Sequence, residues 1–86
     1  MFSRIKKASA LENCCLNVEF TNGQRKIYDI KQLFARYPQF RLLEIDADLF
    51  SSVKVNQGGY GIFWNEDLDL SADELYENGE TVSSSL

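Results

Sequence analysis

An Asn-Gly pair at positions 22 and 23 separates two stretches rich in strand-forming residues, and no other feature of the chain narrows its fold so far. A type I′ turn needs positive φ at both central residues, which Asn and Gly tolerate best, so the pair predicts a tight hairpin. Upstream, Leu16, Val18 and Phe20 alternate with Cys15, Asn17 and Glu19 at the period of a half-buried strand. Counting outward from a two-residue turn sets Phe20 against Arg25, Glu19 against Lys26, Val18 against Ile27 and Asn17 against Tyr28. That register turns an apolar pair inward and an opposite-charge pair outward.

The remaining elements follow from caps and periodicity. Residues 3–11 read as a preceding strand. Asp29 can cap a helix whose Ile30, Leu33, Phe34 and Tyr37 form one stripe that Pro38 ends. A connector with Phe40, Leu42, Leu43 and Ile45 leads to Asp46, a cap for a short turn carrying Leu49 and Phe50. A second hairpin around Gln57-Gly58 sets Val53 and Val55 opposite Ile62 and Tyr60, with Tyr60 and Trp64 both facing inward. Gly58 serves that turn, and Gly61 marks a place where a side chain would crowd its neighbour. Ser71-Ala72-Asp73-Glu74 is a capping box opening a short helix that presents Leu75 and Tyr76. The expected class is α+β: a small antiparallel sheet built from two hairpins plus an N-terminal strand, with short helices packed on one side.

At 86 residues and 44% hydrophobic content the chain suits one core, placed at residues 1–78. Residues 79–86 read as a flexible tail with little to bury. The apolar runs fall far short of the ~20 residues that span a bilayer. No secretory pattern follows Arg4, Lys6 and Lys7, so a cytoplasmic protein without membrane attachment is expected.

Chemistry is narrowed next. The chain has no histidine, the usual general base of nucleophilic systems and the commonest zinc ligand. Cys14 and Cys15 are adjacent, so a bond between them needs strained geometry; both read as reduced, one buried and one nearer the surface. Carboxylates are the remaining acid-base candidates: Asp46 with Asp48, and Asp67, Asp69, Asp73 and Glu74. Asp46 and Ser71 already have capping roles, and the others read as a solvated acidic edge. Asp67, Asp69, Ser71 and Asp73 alternate like the oxygens of a calcium loop, but Ala72 stands where that loop needs glycine and Asn78 where it needs a bidentate acid. Gly58-Gly59-Tyr60-Gly61 reads as a hairpin tip, since no Lys-Ser or Lys-Thr follows as in a phosphate loop. No cofactor, metal site or catalytic residue is expected.

Charge is unevenly placed. Residues 1–41 hold eight Lys or Arg against three acids, and residues 42–86 hold one base, Lys54, against ten acids. The net charge of −4 argues against a dedicated nucleic-acid binder.

Taken together, F-T-N-G-x-x-x-x-Y-D-I at Phe20–Ile30, D-x-D-L-F-x-x-V-x-V at Asp46–Val55 and G-x-x-I-x-W-N-x-x-x-D-L at Gly59–Leu70, closing with Leu75-Tyr76, carry a resemblance. The chain resembles the prokaryotic domain-of-unknown-function family numbered 2442, grouped with NE-type N-terminal domains. The resemblance spans residues 4–77 and implies a small α+β domain, sometimes followed by a DNA-binding helix-turn-helix that a chain this short would not include. It also implies a neighbouring small partner, as in toxin and antitoxin pairs. The sequence departs from the family pattern after Trp64, where Asn65-Glu66-Asp67 replaces a common proline. The resemblance carries over no catalytic residue.

The expected role is a non-enzymatic protein-interaction domain binding another protein through its acidic half. The partner face is placed at Asp67, Asp69, Asp73, Glu74, Leu75 and Tyr76, the last two expected to be only partly covered. The alternative is a nucleic-acid-associated regulator or antitoxin-like partner of a small toxin. It would use Arg4, Lys6, Lys7, Arg25, Lys26, Lys31, Arg36 and Arg41 gathered on one face with Tyr28.

Overall fold

The computed structural model describes residues 4–82. In chain order the strands are β1 (Ile5–Ala10), β2 (Cys15–Phe20), β3 (Arg25–Asp29), β4 (Lys54–Val55), β5 (Gly61–Asn65), β6 (Leu68–Ser71) and β7 (Glu80–Thr81). The α-helices are α1 (Leu42–Ile45), α2 (Ala47–Ser51) and α3 (Ala72–Asn78). The α+β class and the antiparallel pairing are as expected. The two hairpins, however, fall in separate sheets, one in the order β1-β2-β3-β7 and one in the order β4-β5-β6. Leu16, Val18, Phe20, Tyr28 and Ile30 pack with Phe40, Leu43, Ile62, Trp64, Leu68 and Leu75 in one apolar core.

The first hairpin is shifted by one residue from the expected register. Gly23 N–H donates to the Phe20 carbonyl at 3.0 Å, and Phe20 N–H donates to the Gln24 carbonyl at 2.8 Å. Gly23 alone takes positive φ (+91°), so the loop is Thr21-Asn22-Gly23 rather than a two-residue turn. Leu16 therefore faces Tyr28, Asn17 faces Ile27, Val18 faces Lys26 and Glu19 faces Arg25. A slip of one residue exchanges the faces of a whole strand. Tyr28 and Lys26 consequently point into the protein, and Ile27 is half-buried on the outer face. The slip buries a tyrosine ring where an isoleucine was expected, and the hydroxyl of that ring finds a partner described below.

The second hairpin is longer than expected but keeps its faces. A turn at Gln57–Gly59 lengthens the loop, so that Val55 pairs with Ile62 and Lys54 with Phe63. A shift of two residues preserves the alternation, and Ile62 and Trp64 stay buried. Tyr60 moves to the end of the loop and is 57% exposed, which corrects its inward placement. A Cβ on Gly61 would lie 2.5 Å from the Leu70 carbonyl oxygen, so the crowding expected there is real. β6 was not anticipated; the Asn65 side-chain oxygen accepts from the Asp67 and Leu68 amides at 2.9 and 3.0 Å and reverses the chain into it.

The caps act as the sequence indicates. Asp29 accepts from the Lys31 amide at 2.9 Å, Asp46 from Leu49 at 3.0 Å and Ser71 Oγ from Glu74 at 3.1 Å. The segment after Asp29 is a single 3-10 turn, Ile30–Leu33, instead of a full helix. Ile30, Leu33 and Phe34 are buried, but Tyr37 is 44% exposed. Pro38 explains the difference: it excludes the helical region for the preceding residue, and Tyr37 sits at φ −132°, ψ 79°. Pro38 then opens another 3-10 turn, Pro38–Arg41. The start of the expected tail is not free, because β7 pairs with Lys26 and Ile27 of β3. Residues 83–86 of that tail lie outside the described residues. No described helix is long and apolar enough to cross a membrane.

Candidate functional site

Of the six residues placed on a partner face, three meet at one groove. Asp67 enters from the β5–β6 turn, Asp69 from β6 and Glu74 from α3, beside Leu70 and Ser71. The opposite wall is the Leu33–Phe40 segment, which supplies Leu33, Arg36, Tyr37, Gln39 and Phe40. The groove has a volume of 280 Å³, slightly below the ~300 Å³ lower bound of ordinary small-molecule pockets. Three carboxylates face one guanidinium across an apolar floor of Leu33, Phe40 and Leu70. No ion pair within 4.0 Å spans the two walls among the described residues.

The other three predicted residues behave differently. Leu75 is fully buried at 0% exposure, which corrects its placement as a partly covered contact. Tyr76 is half-buried as expected, yet it is held inside the protein: its ring meets Phe20 edge-on at 5.0 Å and lies 4.5 Å from Lys26 Nζ. Asp73 is exposed on α3 and does not line the groove.

Glu74 has a structural task that the sequence did not reveal. In a full capping box its carboxylate would turn back to the Ser71 amide. Instead Oε2 accepts from the buried Tyr28 hydroxyl at 2.7 Å. Burial, and then this hydrogen bond, push the Tyr28 pKa well above its ordinary value. The phenol therefore stays neutral and donates. The bond ties β3 to α3 behind the groove and satisfies a hydroxyl that the core would otherwise strand.

Tyr37, Gln39 and Phe40 were missed as site residues because the helical stripe placed Tyr37 in the core, and Arg36 was placed with the basic set instead. Tyr37 followed by Pro38 was the available signal.

The basic residues do not act as a free set. Lys26 is buried, donating to Thr81 Oγ1 at 3.0 Å. Lys31 pairs with Asp29 at 3.1 Å, and this bond raises its pKa. The guanidinium carbons of Arg36 and Arg41 lie 5.7 Å from Tyr37 and 5.3 Å from Phe34. Tyr28, the proposed stacking ring, is fully buried at 0% exposure.

Cys14 and Cys15 are both half-buried free thiols, which differs from the one-buried, one-surface expectation. Asn13 and Cys14 both hold φ of +60° where the chain enters β2. Burial raises the Cys14 pKa, and Lys31 only partly opposes it, so the thiol is poorly activated. No group of three or more metal-ligating side chains gathers among the described residues.

Residues 5–81 match the family model described as "Protein of unknown function (DUF2442)". No curated protein and no solved structure matches the chain.

Proposed function

The chain belongs to the DUF2442 family of proteins of unknown function, and from that premise we propose that it is a non-enzymatic protein-interaction module. The contact surface in this reading is the groove between β6 and the Leu33–Phe40 segment, with the exposed Asp73 beyond its rim.

One observation carries the proposal. A 44%-exposed tyrosine and an arginine that forms no ion pair among the described residues stand across an apolar floor from Asp67 and Asp69. Aromatic and arginine side chains are enriched where proteins bind one another, and polar groups commonly rim such surfaces. Acid-base chemistry has less support. Glu74 is engaged by Tyr28 at 2.7 Å, the sequence has no histidine, and the groove is small and open.

Affinity capture from the native host, comparing the unmodified protein with Tyr37→Ala and Asp67→Lys, tests the reading. A protein retained by the parent and lost from both variants is expected. Equal retention by all three, or none by any, would remove the support. Tight binding of random duplex DNA that weakens steeply with salt would favour the nucleic-acid alternative instead.

A further inference from the structure

β6 is an edge strand, and the hydrogen bonds around it fix which of its backbone groups are free. Ala72 N–H donates to the Tyr60 carbonyl at 2.8 Å, which makes Tyr60 and Ala72 a hydrogen-bonded pair. In an antiparallel ladder such pairs alternate with non-hydrogen-bonded ones. Ile62–Leu70 is then bonded, whereas Gly61–Ser71 and Phe63–Asp69 are not. The backbone groups of Asp69 and Ser71 therefore point away from β5, on the side where the groove lies.

The capping geometry leaves that edge more open still. The Ser71 carbonyl begins the α3 ladder, as an N-cap carbonyl does. Its N–H would normally be taken by the acid of the capping box, but the Glu74 carboxylate accepts from Tyr28 instead. Among the described residues, Asp69 N–H, Asp69 C=O and Ser71 N–H thus form a short row of hydrogen-bonding groups that the β5–β6 ladder does not use. Asp67 and Asp69 flank it with two exposed carboxylates, and Leu70 lies between its donors at the groove floor.

We propose that the partner binds by strand addition: an extended segment of another polypeptide, alternating basic and apolar side chains, pairs with β6 along Asp69–Ser71. Its backbone meets the free groups of Asp69 and Ser71. Its basic side chains reach Asp67 and Asp69, and an apolar side chain covers Leu70 and Phe40. The groove selects a basic segment because its three carboxylates outnumber the single guanidinium of Arg36. Main-chain bonds give such a complex its affinity, and the alternating side chains give it its specificity. This inference rests on the interaction reading above and adds the chemistry of the partner.

The test uses a fluorescent peptide of alternating lysine and valine, its fully N-methylated counterpart, and an alternating glutamate and valine control. Binding to the full chain is read by anisotropy, and amide exchange of the protein is followed in parallel. The lysine peptide is expected to bind, to slow exchange at Asp69 and Ser71, and to lose about tenfold or more in affinity on N-methylation, which removes every peptide N–H without altering charge. Asp69→Asn should weaken it about threefold, the size of an exposed ion pair. Asp69→Pro, which removes an outward N–H that serves no ladder bond, should weaken it further than Asp69→Asn.

Equal binding of the methylated peptide, unchanged exchange at Asp69 and Ser71, preference for the glutamate peptide, or no binding at millimolar concentration would each overturn strand addition. The interaction reading would survive any of these if Tyr37→Ala still lost a protein captured from the host. It would fall separately if no captured protein depended on the groove.

Discussion

The far edge of β3 and the outer edge of β6 are finished in opposite ways. β7 returns to β3, pairing with Lys26 and Ile27, and the Val82 amide adds a bond to the Arg25 carbonyl at 2.9 Å. Lys26 braces this closure from inside, its stem buried and its ammonium held by the Thr81 hydroxyl and the Tyr76 ring. Among the described residues nothing comparable returns to β6, whose outward amides open on a groove lined by carboxylates. An exposed edge is a template for pairing with another chain, and proteins that must avoid this cover it or charge it. This protein covers one edge and charges the other. A charged edge repels like segments and still admits one of opposite sign, and that difference is what the strand-addition proposal rests on.

Tyr28 and Glu74 connect the two edges, since their bond runs from β3 to the helix that follows β6. Leu75, fully buried on the same helix, is the larger of the two buried side chains of α3. Leu75→Ala should therefore loosen both edges together and lower stability by about 2–5 kcal/mol, measured by urea unfolding. A loss below 1 kcal/mol would mean that α3 is not what joins them.

A pH experiment sharpens the role of the bond. The Tyr28 pKa is raised in the folded protein, so its contribution to stability is complete below the unfolded tyrosine pKa of about 10 and is lost as pH rises above it. Between pH ~10 and ~11 the wild type should lose about 1 kcal/mol more than Tyr28→Phe does, because one proton difference changes stability by about 1.4 kcal/mol per pH unit. Parallel curves for the two proteins would dispose of the assignment.

An effect of the same size is expected at Lys26. Lys26→Met keeps the buried stem but removes the ammonium, and should cost about 1 kcal/mol through the lost hydrogen bond and ring contact. Exchange of the Val82 amide should quicken while that of Leu70, which is bonded to Ile62 in the β5–β6 ladder, stays the same. Acceleration at both sites would mean that Lys26 braces more than the β7 closure.

The sequence revealed the small α+β class and every cap that the structure uses, because Asp29, Asp46 and Ser71 act through amides two or three residues away. It also showed where the chain reverses at Asn22-Gly23 and Gln57-Gly58. Asp67, Asp69 and Glu74, set on one face from the sequence, do line one groove, whereas Leu75 is buried. The opposite wall was not legible: Tyr37 fitted a helical stripe that Pro38 in fact disrupts.

What the sequence determined alone is local, since caps, turns and alternation depend on neighbouring residues and short hydrogen bonds. The tertiary structure decided the rest. Asn-Gly is compatible with a hairpin loop of two residues or of three, and the three-residue loop is the one that turns Tyr28 into the core. Packing Tyr28 inward gives its hydroxyl Glu74, 46 residues away, and that choice fixes the register, diverts the capping-box acid and leaves the Ser71 amide at an open edge. A contact of such sequence separation has no signature in either local stretch, because its energy exists only once the core has closed around it.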